Sequence, residues 1–157
     1  MIKVLEICAA NMASAVAAQN SGADRIELCS ELAVGGVTPS YGVISAVRSA
    51  ISIAINVLVR PRSGDFLYTS DEAESVLRDI AACAQLGVQG VVVGALTPMA
   101  KVDEQMARDW LKEAHRKGLS ATFHRAIDCA DDIFEATDAI ASIGYDRILT
   151  SGGYPTA

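Results

Sequence analysis

Histidine is scarce in this sequence. Only His115 and His124 occur among 157 residues, and histidine is the side chain whose ordinary pKa lies nearest neutrality. Acid–base chemistry at neutral pH therefore has few places to reside. Runs of lysine or arginine are absent too: 13 basic residues are interspersed with 19 acidic ones, for a net charge of −6. Phosphate-backbone recognition needs a concentrated basic surface, so nucleic acid is not expected as a partner. No stretch approaches the roughly 18 uninterrupted apolar residues of a membrane-spanning helix, so no membrane is expected either. The apolar start, Met1 to Ala10, is interrupted by Glu6 and reads as an alternating strand rather than as a signal-peptide core. The four cysteines, Cys8, Cys29, Cys83 and Cys129, have no CxxC spacing, which argues for reduced thiols in the cytoplasm. A GxGxxG fingerprint is missing from the loop after the first strand.

What is present is a regular alternation of strand and helix patterns. A composition 51% hydrophobic and 20% charged suits one globular domain over residues 1–157 with a sizeable core. Strands are expected over Lys3 to Cys8, Arg25 to Cys29, Ile53 to Arg60, Val88 to Gly94, Ser120 to His124 and Arg147 to Thr150. Between them, Asn11 caps a helix from Met12 to Asn20, and Thr38 with Pro39 starts one running to about Ile51. Thr69 and Glu72 form a capping box for Ser70 to Leu86. Further helices are expected from Asp103 to Lys117 and from Asp131 to Ile143. An internal echo, Gly22-Ala-Asp-Arg-Ile-Glu-Leu and Gly144-Tyr-Asp-Arg-Ile-Leu-Thr, places Asp-Arg at the start of two strands.

Alternating β and α segments predict a parallel sheet, either doubly wound or closed as a TIM (β/α)8-type barrel. The polar residues favour the barrel, because they sit at the ends of many different strands rather than at one switch point. The strand ends read Glu-Ile-Cys, Glu-Leu-Cys, Arg-Pro-Arg, Phe-His-Arg and Thr-Ser-Gly-Gly. About six strands and five helices are legible against eight units in a full barrel. The barrel is therefore expected to be incomplete here, with open sheet edges that make the chain marginally stable and prone to form a homo-oligomer.

Leu5-Glu6-Ile7-Cys8 repeats as Ile26-Glu27-Leu28-Cys29, and strand alternation puts each Glu and its Cys on one side. Glu6 and Glu27 would either pair with Arg60 or Arg62 in the barrel mouth or exchange protons with a ligand. Cys8 and Cys29 are soft ligands suited to Cu(I), unless they are small core residues; the spacing leaves open whether the two sulfurs meet. Arg60-Pro-Arg62-Ser-Gly-Asp65 is a rigid fork for carboxylate or phosphate, with the alternative that Arg60 only neutralises the glutamates. His124 shares its side of the strand with Thr122 and is the expected neutral-pH acid–base, with Arg125 and Asp128 beside it. Ser151-Gly152-Gly153 offers backbone N–H groups to an anion. His115, in the last turn of a helix, complements the helix dipole, and Cys83 belongs to the core. Glu6, Glu27, Arg60 and His124 are expected to converge at the carboxyl ends of the strands.

Several motifs together resemble the CutC family: Glu-Leu-Cys-Ser at 27–30, Gly-Gly-Val-Thr-Pro-Ser-Tyr at 35–41, Arg-Pro-Arg-Ser-Gly-Asp-Phe at 60–66 and Thr-Phe-His-Arg-Ala-Ile-Asp at 122–128. Gly-Ala-Leu-Thr-Pro at 94–98 and Asp-Arg-Ile-Leu-Thr-Ser-Gly-Gly at 146–153 fit as well. The resemblance implies a cytoplasmic TIM-barrel protein of copper homeostasis, with copper as the bound ion. It also implies eight units, of which this chain covers the first six. The residues themselves favour a barrel enzyme on a small anionic substrate, held by Arg60 and Arg62 and worked on by His124 with Glu27 or Glu6. Both readings stand at this point, copper handling first.

Overall fold

A computed structural model of the chain describes residues 3–154. Six strands alternate with five helices: β1 Glu6–Ala9, α1 Met12–Asn20, β2 Arg25–Leu28, α2 Tyr41–Ala50, β3 Ala54–Leu58, α3 Ser70–Gln85, β4 Gly90–Val93, α4 Glu104–Arg116, β5 Ser120–Phe123, α5 Ile133–Ile143 and β6 Arg147–Ile148. The strands pair in sequence order, every pair parallel, with no switch point. That order is the one a TIM-type barrel has and a doubly wound sheet lacks. The sheet curls as part of such a barrel. Among the described residues no helix is long and apolar enough to cross a membrane.

Local chemistry starts the helices. The Asn11 side chain accepts from the Ser14 N–H while the Ser14 hydroxyl accepts from the Asn11 N–H, a reciprocal cap for α1. Thr69 and Glu72 do the same for α3. At α2 the expected cap is displaced. Ser40 accepts from the Val43 N–H, and Thr38 is used elsewhere: its hydroxyl accepts from the Arg60 N–H at 2.9 Å and donates to the Arg60 carbonyl at 3.1 Å. Helix α5 is capped by Asp132, one residue beyond the expected start.

The sheet face toward the helices carries Ile26, Leu28, Ile55, Val57, Val91 and Val93, all buried. Each such side chain contributes about 1.5–3 kcal/mol relative to exposure. Trp110 of α4 is fully packed against Tyr68, and its indole N–H donates to the Ala73 carbonyl of α3 at 3.3 Å. The Asp-Arg echo has a structural meaning. Asp24 accepts from the Leu5 N–H at 2.8 Å, and Asp146 accepts from the Ala121 N–H at 2.8 Å. Each aspartate thereby clamps the start of the preceding strand.

The arginine of each echo points inward, into a polar belt at the amino-terminal end of the strands. Arg25 pairs with Glu6, which also accepts from the Asn56 amide at 3.1 Å. Arg147 donates to Thr122 at 3.1 Å and Ser120 at 2.6 Å. Glu6 is thus corrected from the mouth to the opposite end: it is the first residue of β1, and its cation is Arg25 rather than Arg60 or Arg62.

Gly90 makes that belt possible, because a Cβ there would lie 2.4 Å from both Asn56 Oδ1 and Ser120 Oγ. Gly90→Ala should therefore lower the unfolding free energy by about 1–3 kcal/mol in a urea titration, the usual cost of overpacking. Gly42→Ala in α2, with nothing closer than Ser40 Oγ at 4.0 Å, should be neutral or slightly stabilising.

Candidate thiol pair and neighbouring cavity

Arg60 follows β3 and is 5% exposed. Its Nη1 donates to the carbonyls of Val34 at 3.1 Å and Gly36 at 2.9 Å, and Nη2 to that of Gly64 at 2.7 Å. The guanidinium lies 4.8 Å from the centre of the Phe66 ring, a favourable cation–π contact. Arg60 therefore ties the loop after β2 to the loop after β3. Gly36 must be glycine for this: its φ is +88°, and a Cβ would approach Leu58 Cδ2 to 2.7 Å. Among the described residues no carboxylate lies within ion-pair distance of Arg60, and its Nε is buried without a partner.

The other half of the expected fork turns away. Arg62 pairs with Glu72 at 2.5 Å and Asp65 at 2.9 Å, donates to the Leu67 carbonyl at 2.6 Å and covers the Tyr68 ring. Asp65 also accepts from the Leu67 N–H. The structure places Arg62 and Asp65 as braces of the loop, outside the cavity that Arg60 lines.

His124 ends β5 and is also 5% exposed. Its Nδ1 accepts from the Ala126 N–H at 3.2 Å, which assigns the ring proton to Nε2. That Nε2 is buried and has no partner among the described residues. Phe66 stacks 5.1 Å away, and Gly94 clears the space, since a Cβ there would meet Nδ1 at 2.6 Å. Burial, then the charge of Arg60, hold the imidazole down to about 3. His124 is neutral at physiological pH. Its Nε2–H is left as an unused donor among the described residues.

Burial, then Cys8 and Glu6, push the Glu27 carboxyl up to about 7, and no donor reaches it among the described residues. Glu27, Gly35, Leu58, Arg60, Phe66, His124, Arg125 and Leu149 line one cavity of about 80 Å³ that opens to solvent. Three of the four expected partners, Glu27, Arg60 and His124, therefore share it. Phe66 and Gly94 were missed in the sequence, although both lie inside the quoted motifs beside residues that were singled out.

Asp128 has a different task. Burial works against its charge, but hydrogen bonds from the Thr150 hydroxyl, Arg125 and the N–H groups of Ser151 and Gly153 hold it well below the usual carboxylate range. The anion received by the Ser151–Gly153 backbone is thus Asp128 itself. Arg125 pairs with Asp128 at 2.9 Å and donates to Ser151 Oγ at 2.8 Å, and it reaches the rim of the cavity.

Beside the cavity, the sulfurs of Cys8 and Cys29 are 3.6 Å apart. Cys8 is exposed and Cys29 buried. The contact between them holds the Cys8 thiol down to about 7 and pushes the Cys29 thiol up; the pair loses its first proton near neutrality and the second far above. Among the described residues no group of three or more His, Cys, Asp or Glu could hold a metal. An ion at this place would have two sulfur ligands.

Comparison with known proteins gives a consistent picture. The model of the CutC family matches residues 3–157. A CutC family protein of Histophilus somni is 45% identical over 153 residues, covering 98% of this chain, and one of Porphyromonas gingivalis is 46% identical over 157 residues, covering all of it. The chain spans 62% of the length of each. A solved CutC structure from Streptococcus agalactiae, provisionally assigned to copper homeostasis, superposes with a TM-score of 0.89 at 32% identity. That match covers 98% of this chain and 75% of the other.

The Glu27 carboxyl sets a pH dependence. Its ordinary value is 4.5 and its folded value about 7, so the folded state holds a proton that the unfolded state has lost between those limits. Stability contributed through Glu27 therefore falls as pH rises from about 4.5 to about 7. His124, held neutral, acts in the opposite sense below about 6.5, so the difference between proteins isolates Glu27. Glu27→Gln should match the parent at the acid end of the window and exceed it by up to about 3 kcal/mol above it, measured by denaturant unfolding across pH. A constant difference would contradict the assignment.

Proposed function

The chain belongs to the CutC family, and from that premise we propose that it serves copper homeostasis in the cytoplasm by holding Cu(I) between Cys8 and Cys29. The observation that carries this reading is the 3.6 Å approach of the two sulfurs. Thiolates favour Cu(I) over harder cations, and a pair with no third ligand suits an ion that accepts two-coordinate binding. With metal–sulfur bonds of about 2.3 Å, a linear arrangement spans about 4.6 Å. The sulfurs must part by about 1 Å, which rotation of the exposed Cys8 side chain supplies. The acidic first proton of the pair lowers the cost of forming the thiolate at neutral pH.

A second reading, an enzyme acting on a small anionic ligand, is favoured by the cavity that Glu27, Arg60 and His124 line, since Arg60 Nε and His124 Nε2 are buried without partners among the described residues.

The copper reading is tested by titration against a chromophoric Cu(I) chelator. The parent should take up one equivalent, and Cys8→Ser or Cys29→Ser should abolish stoichiometric uptake. Proton release per Cu(I) should fall from two toward one as pH rises through about 7, where the first thiol is already ionised. Unchanged affinity in either variant removes that thiol as a ligand.

A further inference from the structure

We propose that Arg60 is the positioning residue of the thiol pair: it pins the loop after β2 over Cys29, so that this sulfur is the fixed ligand of the Cu(I) site and Cys8 the moving one. The inference deepens the copper reading and rests on it.

The loop has little else to hold it. Residues 31–35 are all exposed, Leu32 and Val34 among them, so apolar burial does not fix its path. Glu31 has a φ of +55°, a left-handed conformation that a residue with a Cβ adopts at a cost. Ser30 and Val37 exchange N–H···O bonds of 3.0 and 2.9 Å. That bridge ties the loop to its own base and to no other strand.

What ties it to β3 is Arg60. The Arg60 carbonyl accepts from the Thr38 N–H at 3.0 Å, and the guanidinium donates to the carbonyls of Val34 and Gly36. Gly36 is buried where residues 31–35 are not, and it lies against the thiol. A Cβ there would stand 3.5 Å from Cys29 Cβ and 3.7 Å from its Sγ. Leu58 and Val92 pack on Cys29 as well. The buried 2.9 Å bond from Arg60 Nη1 to the Gly36 carbonyl thus holds the residue that covers the sulfur. Cys29 is left 1% exposed, whereas Cys8 is open to solvent.

This asymmetry suits a two-sulfur site. Two freely turning thiols would both lose rotational freedom on closing around an ion, and holding one of them beforehand removes part of that cost. Arg60 bonds loop carbonyls rather than either sulfur, so its effect on the ion passes through Gly36 and Cys29.

The test reads Cys29 before any metal is added. In a Cys8→Ser background, labelling of the native protein with N-ethylmaleimide is mapped by mass spectrometry. Cys83, 1% exposed in the main core, is the internal reference because it labels only on global opening. Arg60→Ala should raise the ratio of Cys29 to Cys83 labelling about tenfold or more. Gly90→Ala, which destabilises the opposite end of the strands, should leave that ratio as in the parent. With both thiols present, Arg60→Ala should still take up one equivalent of Cu(I), about tenfold more weakly. If Arg60→Ala does not fold, Arg60→Lys, which keeps the charge without the planar fork, is measured in its place and should shift both readouts in the same direction. Cys29 and Cys83 labelling that rise together, or Cu(I) affinity equal to the parent's, overturns the positioning role and leaves Arg60 a structural clamp. A parent that takes up no Cu(I) overturns the copper reading and with it the ligand role of Cys29, while the labelling ratio still reports whether Arg60 holds that thiol in place.

Discussion

A buried guanidinium bonded to three carbonyls organises the carboxyl end of this sheet. Arg60 receives the oxygens of Val34, Gly36 and Gly64, and its own backbone is gripped on both sides by Thr38. Two loops that share no strand are thereby fixed to one side chain. The same charge contributes to holding His124 neutral and rests on the ring of Phe66 that His124 also stacks against. Each of these would change if the guanidinium were removed: the loops would lose a common anchor, and the imidazole would regain its tendency to ionise. A buried cation is costly, and here three loop carbonyls and the Phe66 ring offset that cost.

Two chemically unlike places lie side by side on strands β1 and β2. Cys8 and Cys29 form a soft, acidic thiol pair open to solvent on one side, while Glu27 belongs to a partly apolar cavity. They are coupled electrostatically, because the Cys8 charge is one of the causes that raise Glu27. The register sets Glu6 opposite Arg25 and Cys8 opposite Glu27, so the two copies of the Glu-x-Cys pattern are offset along the sheet and the two sulfurs meet on a diagonal.

The barrel-type fold and the capped starts of α1 and α3 were legible in the sequence because they depend on local chemistry: turn glycines, the Asn11 and Thr69 caps, and alternating β and α segments. Other features depend on tertiary partners. Thr38 and Ser40 are equally good caps, and only the Arg60 backbone decides between them. Alternation tells which face Glu6 is on but not its depth, which follows from where β1 begins and how the strands are staggered. Arg60 looked like a ligand fork because its partners are carbonyls, which leave no trace in side-chain patterns. Asp128 looked like a binding residue for a related reason, as it binds backbone N–H groups of its own chain. The opposite shifts of His124 and Glu27 follow from burial and neighbouring charge, neither of which is visible in spacing. Whether Cys8 and Cys29 meet was undecided until the register of β1 on β2 placed Cys8 opposite Glu27.

The central claim, that copper is held by this thiol pair alone, is tested most directly by X-ray absorption at the copper edge on the Cu(I)-loaded protein. The account predicts a first shell of two sulfur scatterers in near-linear geometry, with no imidazole nitrogen, since His124 is committed to the neighbouring cavity. A shell containing nitrogen or oxygen, or more than two sulfurs per copper, would contradict it.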